Sequence, residues 1–218
     1  MSAALGGRPF AGLHVLADDD PRWPHGPLEQ ARAACAGGAA VVQLRAKHAG
    51  DREALRWAAE IRRLTRERGV LFVLNDRFDL ALAAEADGVH LGQEDLPPAC
   101  IPPLLRARLR VGRSSHTLEQ AREAAREGVD YVAFGPVFGT TSKESPWEAR
   151  GLEALAEAAR AVAPLPLVAI GGVDASRAVA LRRAGAAGAA VISAVAAAAD
   201  PEAATRRLVV ALTADDGA

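Results

Sequence analysis

The 218 residues are half apolar, with 26 Lys and Arg against 27 Asp and Glu and a net charge of -1. That balance gives no general attraction to nucleic acid or an anionic membrane surface, and leaves only local sites for phosphate groups. No basic N-terminal region precedes an apolar run and no membrane-length apolar window occurs, so neither a signal peptide nor a membrane span is expected and the chain reads as cytoplasmic.

Short apolar runs alternate with longer segments of helical period. The first expected strand is 13–17, followed by a helix over 27–36 that Gly37-Gly38 ends. Strand two is 40–44. Asp51 is the expected N-cap of a long helix to Arg68, with Gly69 at the left-handed position that closes it. Strand three is 70–74, with a helix around 79–86, and strand four is 88–91. A helix is expected over 97–108, strand five over 109–112, and a helix over 117–127 capped by Thr117. Strand six starts at Asp130 and is stopped by Gly135-Pro136. A helix over 151–162, strand seven at 167–170, a helix to 184 capped by Asp174 or Ser176, strand eight at 187–192 and a helix over 201–212 complete the chain, with 213–218 as a frayed tail.

Eight strand–helix units predict an α/β fold, a closed (β/α)8 barrel forming one domain over 1–218. The stretch 139–150 is longer than the other loops and is a candidate lid. Cys35 and Cys100 sit in no metal-ligand spacing; two reduced thiols are the plain reading, with one disulfide left open. No dinucleotide fingerprint, Ser-His-Asp arrangement or zinc spacing is found.

A barrel places its chemistry at the C-terminal ends of its strands, so the residues just after each apolar run are the candidates. Gln43, Arg45 and Lys47 alternate onto one face after strand two, a donor set for a polyanion. Asn75 and Asp76 follow strand three, and Asp95 follows strand four. Two hard carboxylates beside cations suit Mg²⁺ carried by a diphosphate, although Asp76 as a helix cap paired with Arg77 is an equal reading. Arg113, Ser114, Ser115 and His116 follow strand five, and Thr140, Thr141, Ser142 and Lys143 follow strand six. Gly171-Gly172 and Ile192-Ser193 follow strands seven and eight, the usual place for a barrel's monophosphate site. His14 is expected near the barrel floor and His90 as structural, with His25 and His48 solvated; Trp147 is a candidate cover for a bound ring.

Seven segments, each at a strand end, together resemble the thiamine-phosphate synthase family: Gln43-Leu-Arg-Ala-Lys47, Asn75-Asp-Arg77, Ala86 to Asp95, Gly112-Arg-Ser-Ser-His116, Gly135 to Lys143, Ala169-Ile-Gly-Gly-Val173 and Val191-Ile-Ser193. The resemblance implies a transferase that joins hydroxymethylpyrimidine diphosphate to a thiazole phosphate with Mg²⁺, releasing diphosphate. It implies that Gln43, Arg45, Lys47, Asn75, Ser114 and Lys143 bind the pyrimidine diphosphate, with Arg45, Lys47 and Lys143 assisting its departure. Asp76 and Asp95 would hold the metal. Thr140, Thr141, Ser142, Gly172, Ile192 and Ser193 would hold the thiazole phosphate.

Three residues depart from the family pattern: Ala46 where an acid is usual, Gly139 where Pro is usual, and Arg113 where a small apolar residue is usual. The Gly-Arg-Ser-x-His segment is similar to the sister thiazole tautomerases, which makes that isomerase the alternative, with a non-catalytic thiazole-phosphate-binding barrel as a third. The expected partners are small molecules, with no nucleic acid or membrane, and a homo-oligomer is left open.

Overall fold

The computed structural model describes residues 10–140, 142 and 146–214. Eight parallel strands close into a barrel in chain order, β1 (Gly12–Asp18), β2 (Val41–Arg45), β3 (Leu71–Asn75), β4 (Gly88–Leu91), β5 (Arg110–Ser115), β6 (Tyr131–Phe134), β7 (Leu167–Ile170) and β8 (Gly188–Val191). β1 completes the ring by pairing with both β2 (His14↔Val41) and β8 (Gly12↔Gly188). Parallel neighbours need crossovers, and helices supply them. These are α1 (Pro27–Gly37), α2 (Asp51–Arg68), α3 (Phe78–Ala83), α4 (Pro103–Arg106), α5 (Leu118–Arg126), α6 (Gly151–Val162) and α7 (Ala178–Arg183), while α8 (Ser193–Ala196) and α9 (Pro201–Thr213) follow the last strand. Among the described residues no helix is long and apolar enough to cross a membrane.

Strand alternation divides the apolar residues into two cores. Val15, Val42, Phe72, Leu91 and Val132 point outward and pack with the helices. Phe10, Leu16, Val41, Val73, Tyr131 and Val168 fill the barrel itself. Tyr131 dominates this inner core: its ring stacks on Phe10 at 4.7 Å and meets His14 edge-on at 5.5 Å. The space for it comes from Gly112 on the neighbouring strand, where a Cβ would lie 2.1 Å from the Tyr131 ring. His14 is on the barrel floor as expected, 1% exposed, with Nε2 bonded to Phe10 O at 2.9 Å.

Several sequence expectations change in detail. The helix expected over 97–108 is a 3-10 turn, Pro98–Cys100, and the short α4. Pro97-Pro98 and Pro102-Pro103 remove helical donors and push each preceding residue to extended backbone, as at Ile101 with ψ 118. Strand five is longer than expected because Ser114 and Ser115 still pair with Ala133 and Phe134. Gly50, not Asp51, caps α2; Asp51 lies in its first turn, where a carboxylate suits the helix dipole. Gly69 does take the left-handed conformation, with φ 66. His25 is not solvated: it bonds Glu29 at 2.6 Å and Ala198 O at 2.8 Å. The tail residues 215–218 lie outside the described residues.

Candidate active site

The C-terminal mouth of the barrel holds two unlike halves. On the β2–β5 side a cleft of about 440 Å³ is lined by Arg45, Lys47, Asn75, Asp76, Asp95 and Ser114, with Trp147 and His116 at its rim. That volume suits a small ligand. Arg45 ends β2 and is anchored by Asp18, whose Oδ2 accepts from Nη1 at 2.5 Å. Asp18 ends β1, is 1% exposed, and also accepts from Trp23 Nε1 at 2.9 Å and Asp20 N at 3.0 Å. The next residue, Asp19, accepts three backbone N–H bonds, from Lys47 at 2.8 Å, His48 at 2.9 Å and Ala49 at 2.7 Å. One carboxylate thus orients the guanidinium and the next fixes the loop that carries the ammonium.

Asp76 meets Lys47 in an ion pair and sits within hydrogen-bond reach of Asp95. Burial raises its carboxyl above the usual range; the Lys47 ammonium pulls it back, and the neighbouring Asp95 pushes it up again. Two carboxylates held this close repel one another, and a divalent cation between them would relieve that repulsion. Asp76 also adopts φ +67, a left-handed conformation unusual outside glycine, while its N–H donates to His90 O at 2.7 Å. The helix-cap alternative does not hold: α3 has no side-chain cap, and Arg77 pairs with Asp79 and Asp51 instead. Among the described residues no cluster of three or more His, Cys, Asp or Glu forms. Two carboxylates are compatible with Mg²⁺, an ion that completes its shell with phosphate oxygens and water.

On the β6–β8 side a smaller cavity is lined by Thr140, Ser142, Gly172, Ile192, Ser193 and again Ser114. Here the polar groups are hydroxyls and peptide N–H groups, with the His116 ring bordering this space as well as the first. Ser142 Oγ donates to Ser193 Oγ at 2.9 Å, and Ser142 N donates to Thr140 Oγ1 at 3.2 Å. Ser193 opens α8, whose first intrahelical donor is Val195, so the N–H groups of Ser193 and Ala194 have no partner in the helix ladder. Gly172 has φ +63, and a Cβ there would lie 2.6 Å from Gly139 O. A side chain at 172 would therefore press on the start of the 139–150 loop.

Ser114 joins the halves and also borders a small cavity deeper in the barrel, shared with Gln43, Arg45, Asn75 and His90. His90 bridges Ser114 Oγ at 2.9 Å and the Tyr131 hydroxyl at 3.0 Å, so its structural role extends upward to a site residue. Gln43 is 3% exposed, and its Oε1 has no hydrogen-bond partner among the described residues. A buried acceptor left unpaired is costly, and a ligand N–H reaching down the barrel would satisfy it. At the rim His116 stacks on Trp147 at 5.1 Å and binds Gly135 O at 2.6 Å.

Of the expected site residues, Thr141 and Lys143 lie outside the described residues. The others converge on these three connected spaces. Arg113 does not line them. Sequence reasoning missed Asp18 and Asp19, although the rule applied to the later strands, polar residues just past an apolar run, points to them after β1.

Residues 13–195 match a protein-family profile described as thiamine monophosphate synthase. A thiamine-phosphate synthase of Anaeromyxobacter dehalogenans (strain 2CP-C) is 52% identical over 182 residues, 84% of this chain and 81% of the relative. That of Chloroflexus aurantiacus is 48% identical over 176 residues, 81% of each. The solved structure of a thiamine phosphate pyrophosphorylase from Pyrococcus furiosus superposes with a TM-score of 0.83 at 39% identity, covering 93% of this chain and 95% of that one. A 3-hexulose-6-phosphate synthase, 18% identical with a TM-score of 0.65, shares the fold alone.

Proposed function

The chain belongs to the thiamine monophosphate synthase family, and from that premise we propose that it condenses hydroxymethylpyrimidine diphosphate with a thiazole phosphate to give thiamine phosphate and diphosphate. The observation that carries this reading is the pairing of Asp76 with Asp95 beside Lys47 and Arg45, in a cleft that shares Ser114 with a hydroxyl- and glycine-lined cavity. One half suits a metal-bound diphosphate and the other a monophosphate. An isomerase or a binding barrel for the thiazole phosphate would use only the second, so the two carboxylates favour the synthase.

The carbon–oxygen bond to diphosphate breaks first, and its electron pair leaves with the diphosphate. The pyrimidine-methyl cation that remains takes the lone pair of the thiazole nitrogen. Arg45, Lys47 and Lys143 neutralise the departing charge, which is the main demand of such a step. Gln43 Oε1 accepts from the pyrimidine at the bottom of the cleft, and Ser114, held by His90, contacts the same ring. Thr140, Thr141, Ser142 and Ser193 with the peptide groups around Gly172 and Ile192 hold the thiazole phosphate, while Asn75 flanks the diphosphate. Asp76 and Asp95 would hold Mg²⁺, which when bound supplies positive charge to the diphosphate oxygens. The His116–Trp147 stack at the rim keeps water from the cation. A cytoplasmic setting fits the free thiols of Cys35 and Cys100.

The test is to incubate the protein with both substrates, with Mg²⁺ and with a chelator, and to follow thiamine phosphate and diphosphate. Mg²⁺-dependent appearance of both is expected. Isomerised thiazole phosphate without either product would reject the reading.

A further inference from the structure

Arg113 lies in β5 between Gly112 and Ser114, whose positions face the barrel interior, so alternation turns its side chain toward the helix layer. It is 7% exposed. A guanidinium is buried only where its charge and its N–H groups are answered. Nε lies 3.4 Å from Glu127 Oε2 at the end of α5. That oxygen has no hydrogen-bond partner among the described residues, so this contact is one of charge. The hydrogen bond goes elsewhere: Nη1 donates to Gly92 O at 2.7 Å.

Gly92 is the residue that opens the turn to Asp95. Its N–H donates to Asp95 Oδ2 at 2.6 Å, and Asp95 N–H donates back to Gly92 O at 3.3 Å. A second tie holds the same turn to β5, from Gln93 Nε2 to Ser114 O at 2.5 Å. We propose that Arg113 is a positioning residue for the cation site, fixing Gly92 so that the Gly92 N–H aims the Asp95 carboxylate at Asp76. Glu127 supplies the charge balance that allows the guanidinium to stay buried, and the bond to Gly92 does the aiming. A residue that departs from the family pattern thereby acts on the metal carboxylate from behind the sheet. The inference rests on the Mg²⁺ reading of Asp76 and Asp95.

The double variant R113M/E127L separates aiming from burial. It removes both charges at similar volume, a replacement that is commonly neutral or stabilising, and its thermal melt checks the fold. Mn²⁺ binding in the presence of inorganic diphosphate is read by loss of the free-ion EPR signal. The Mg²⁺ concentration for half-maximal turnover is read in parallel. Both are expected to weaken by about tenfold or more, the range for partners that orient metal ligands, with the KM for thiazole phosphate unchanged. R113K keeps a cation beside Glu127 but cannot span both partners, so the same loss is expected; it carries the test if the double variant loses its cooperative melt. Parental Mn²⁺ affinity and Mg²⁺ dependence in a folded variant would overturn the inference. A parent protein that binds no Mn²⁺ with diphosphate and turns over equally in chelator would remove the cation site itself, and the inference with it.

Discussion

The two halves of the barrel mouth meet anions by different physics. On β1–β5 the instruments are charged side chains, each held by a second carboxylate or a backbone N–H: Arg45 by Asp18, the Lys47 loop by Asp19, Asp95 by Gly92. On β6–β8 they are hydroxyls and peptide N–H groups, and the residue that matters most, Gly172, matters for the side chain it lacks. The first half suits a highly charged group whose charge changes during the reaction. The second suits a phosphate that is only held, because fixed dipoles bind a steady charge without bringing a competing one.

The largest expected effect breaks one half alone. Asp76→Ala removes a carboxylate of the proposed cation site, and near-complete loss of thiamine phosphate formation is expected at any Mg²⁺ concentration. Turnover at the parental rate would contradict the division. Gly172→Val attacks the other half. It forces a branched side chain into a positive-φ site against Gly139 O, and displacement of the loop by about 1 Å is expected to cost roughly 100-fold in kcat/KM. The rise should fall on the KM for thiazole phosphate; a change confined to the pyrimidine substrate would reverse the assignment.

Asp18→Asn sharpens the comparison, because it keeps the shape and removes the charge behind Arg45. A charged hydrogen bond of this kind is worth enough to lower kcat/KM for pyrimidine diphosphate by about tenfold, with the thiazole phosphate constants unmoved in steady-state assays. Equal losses toward both substrates would mean that Asp18 supports the whole mouth. The last effect lies beneath both halves and falls on stability alone. Burial holds His14 down at about 4, against an ordinary 6.5. Below the ordinary value the unfolded chain takes up a proton that the folded chain refuses, so stability is full above it and falls toward about pH 4. The slope is at most about 1.4 kcal/mol per pH unit. Urea midpoints between pH 7 and 4.5 should show that slope lessened in His14→Gln, and identical slopes would exclude His14 as its source.

The barrel was legible because apolar runs and helical periods alternate eight times, and the strand-end rule then collected Arg45, Asp76, Asp95, Ser114 and Ser193 from places far apart in the chain. What escaped depends on three-dimensional neighbours. Asp18 gains its meaning from Arg45, 27 residues on. Arg113 at a strand end looks like a pocket residue, but strand five continues through it, and one more residue of strand puts its side chain on the far side of the sheet. The helix expected over 97–108 is cut short because its prolines at 97–98 and 102–103 remove the donors it would need.

The most direct test of the divided mouth is calorimetric titration of the Asp95→Ala variant with thiazole phosphate, and then with pyrimidine diphosphate and Mg²⁺. Parental affinity for the thiazole phosphate, with Mg²⁺-dependent binding of the diphosphate lost, is the predicted result. Loss of both together, in a protein that still melts cooperatively, would show that the mouth works as a single site and would contradict the account.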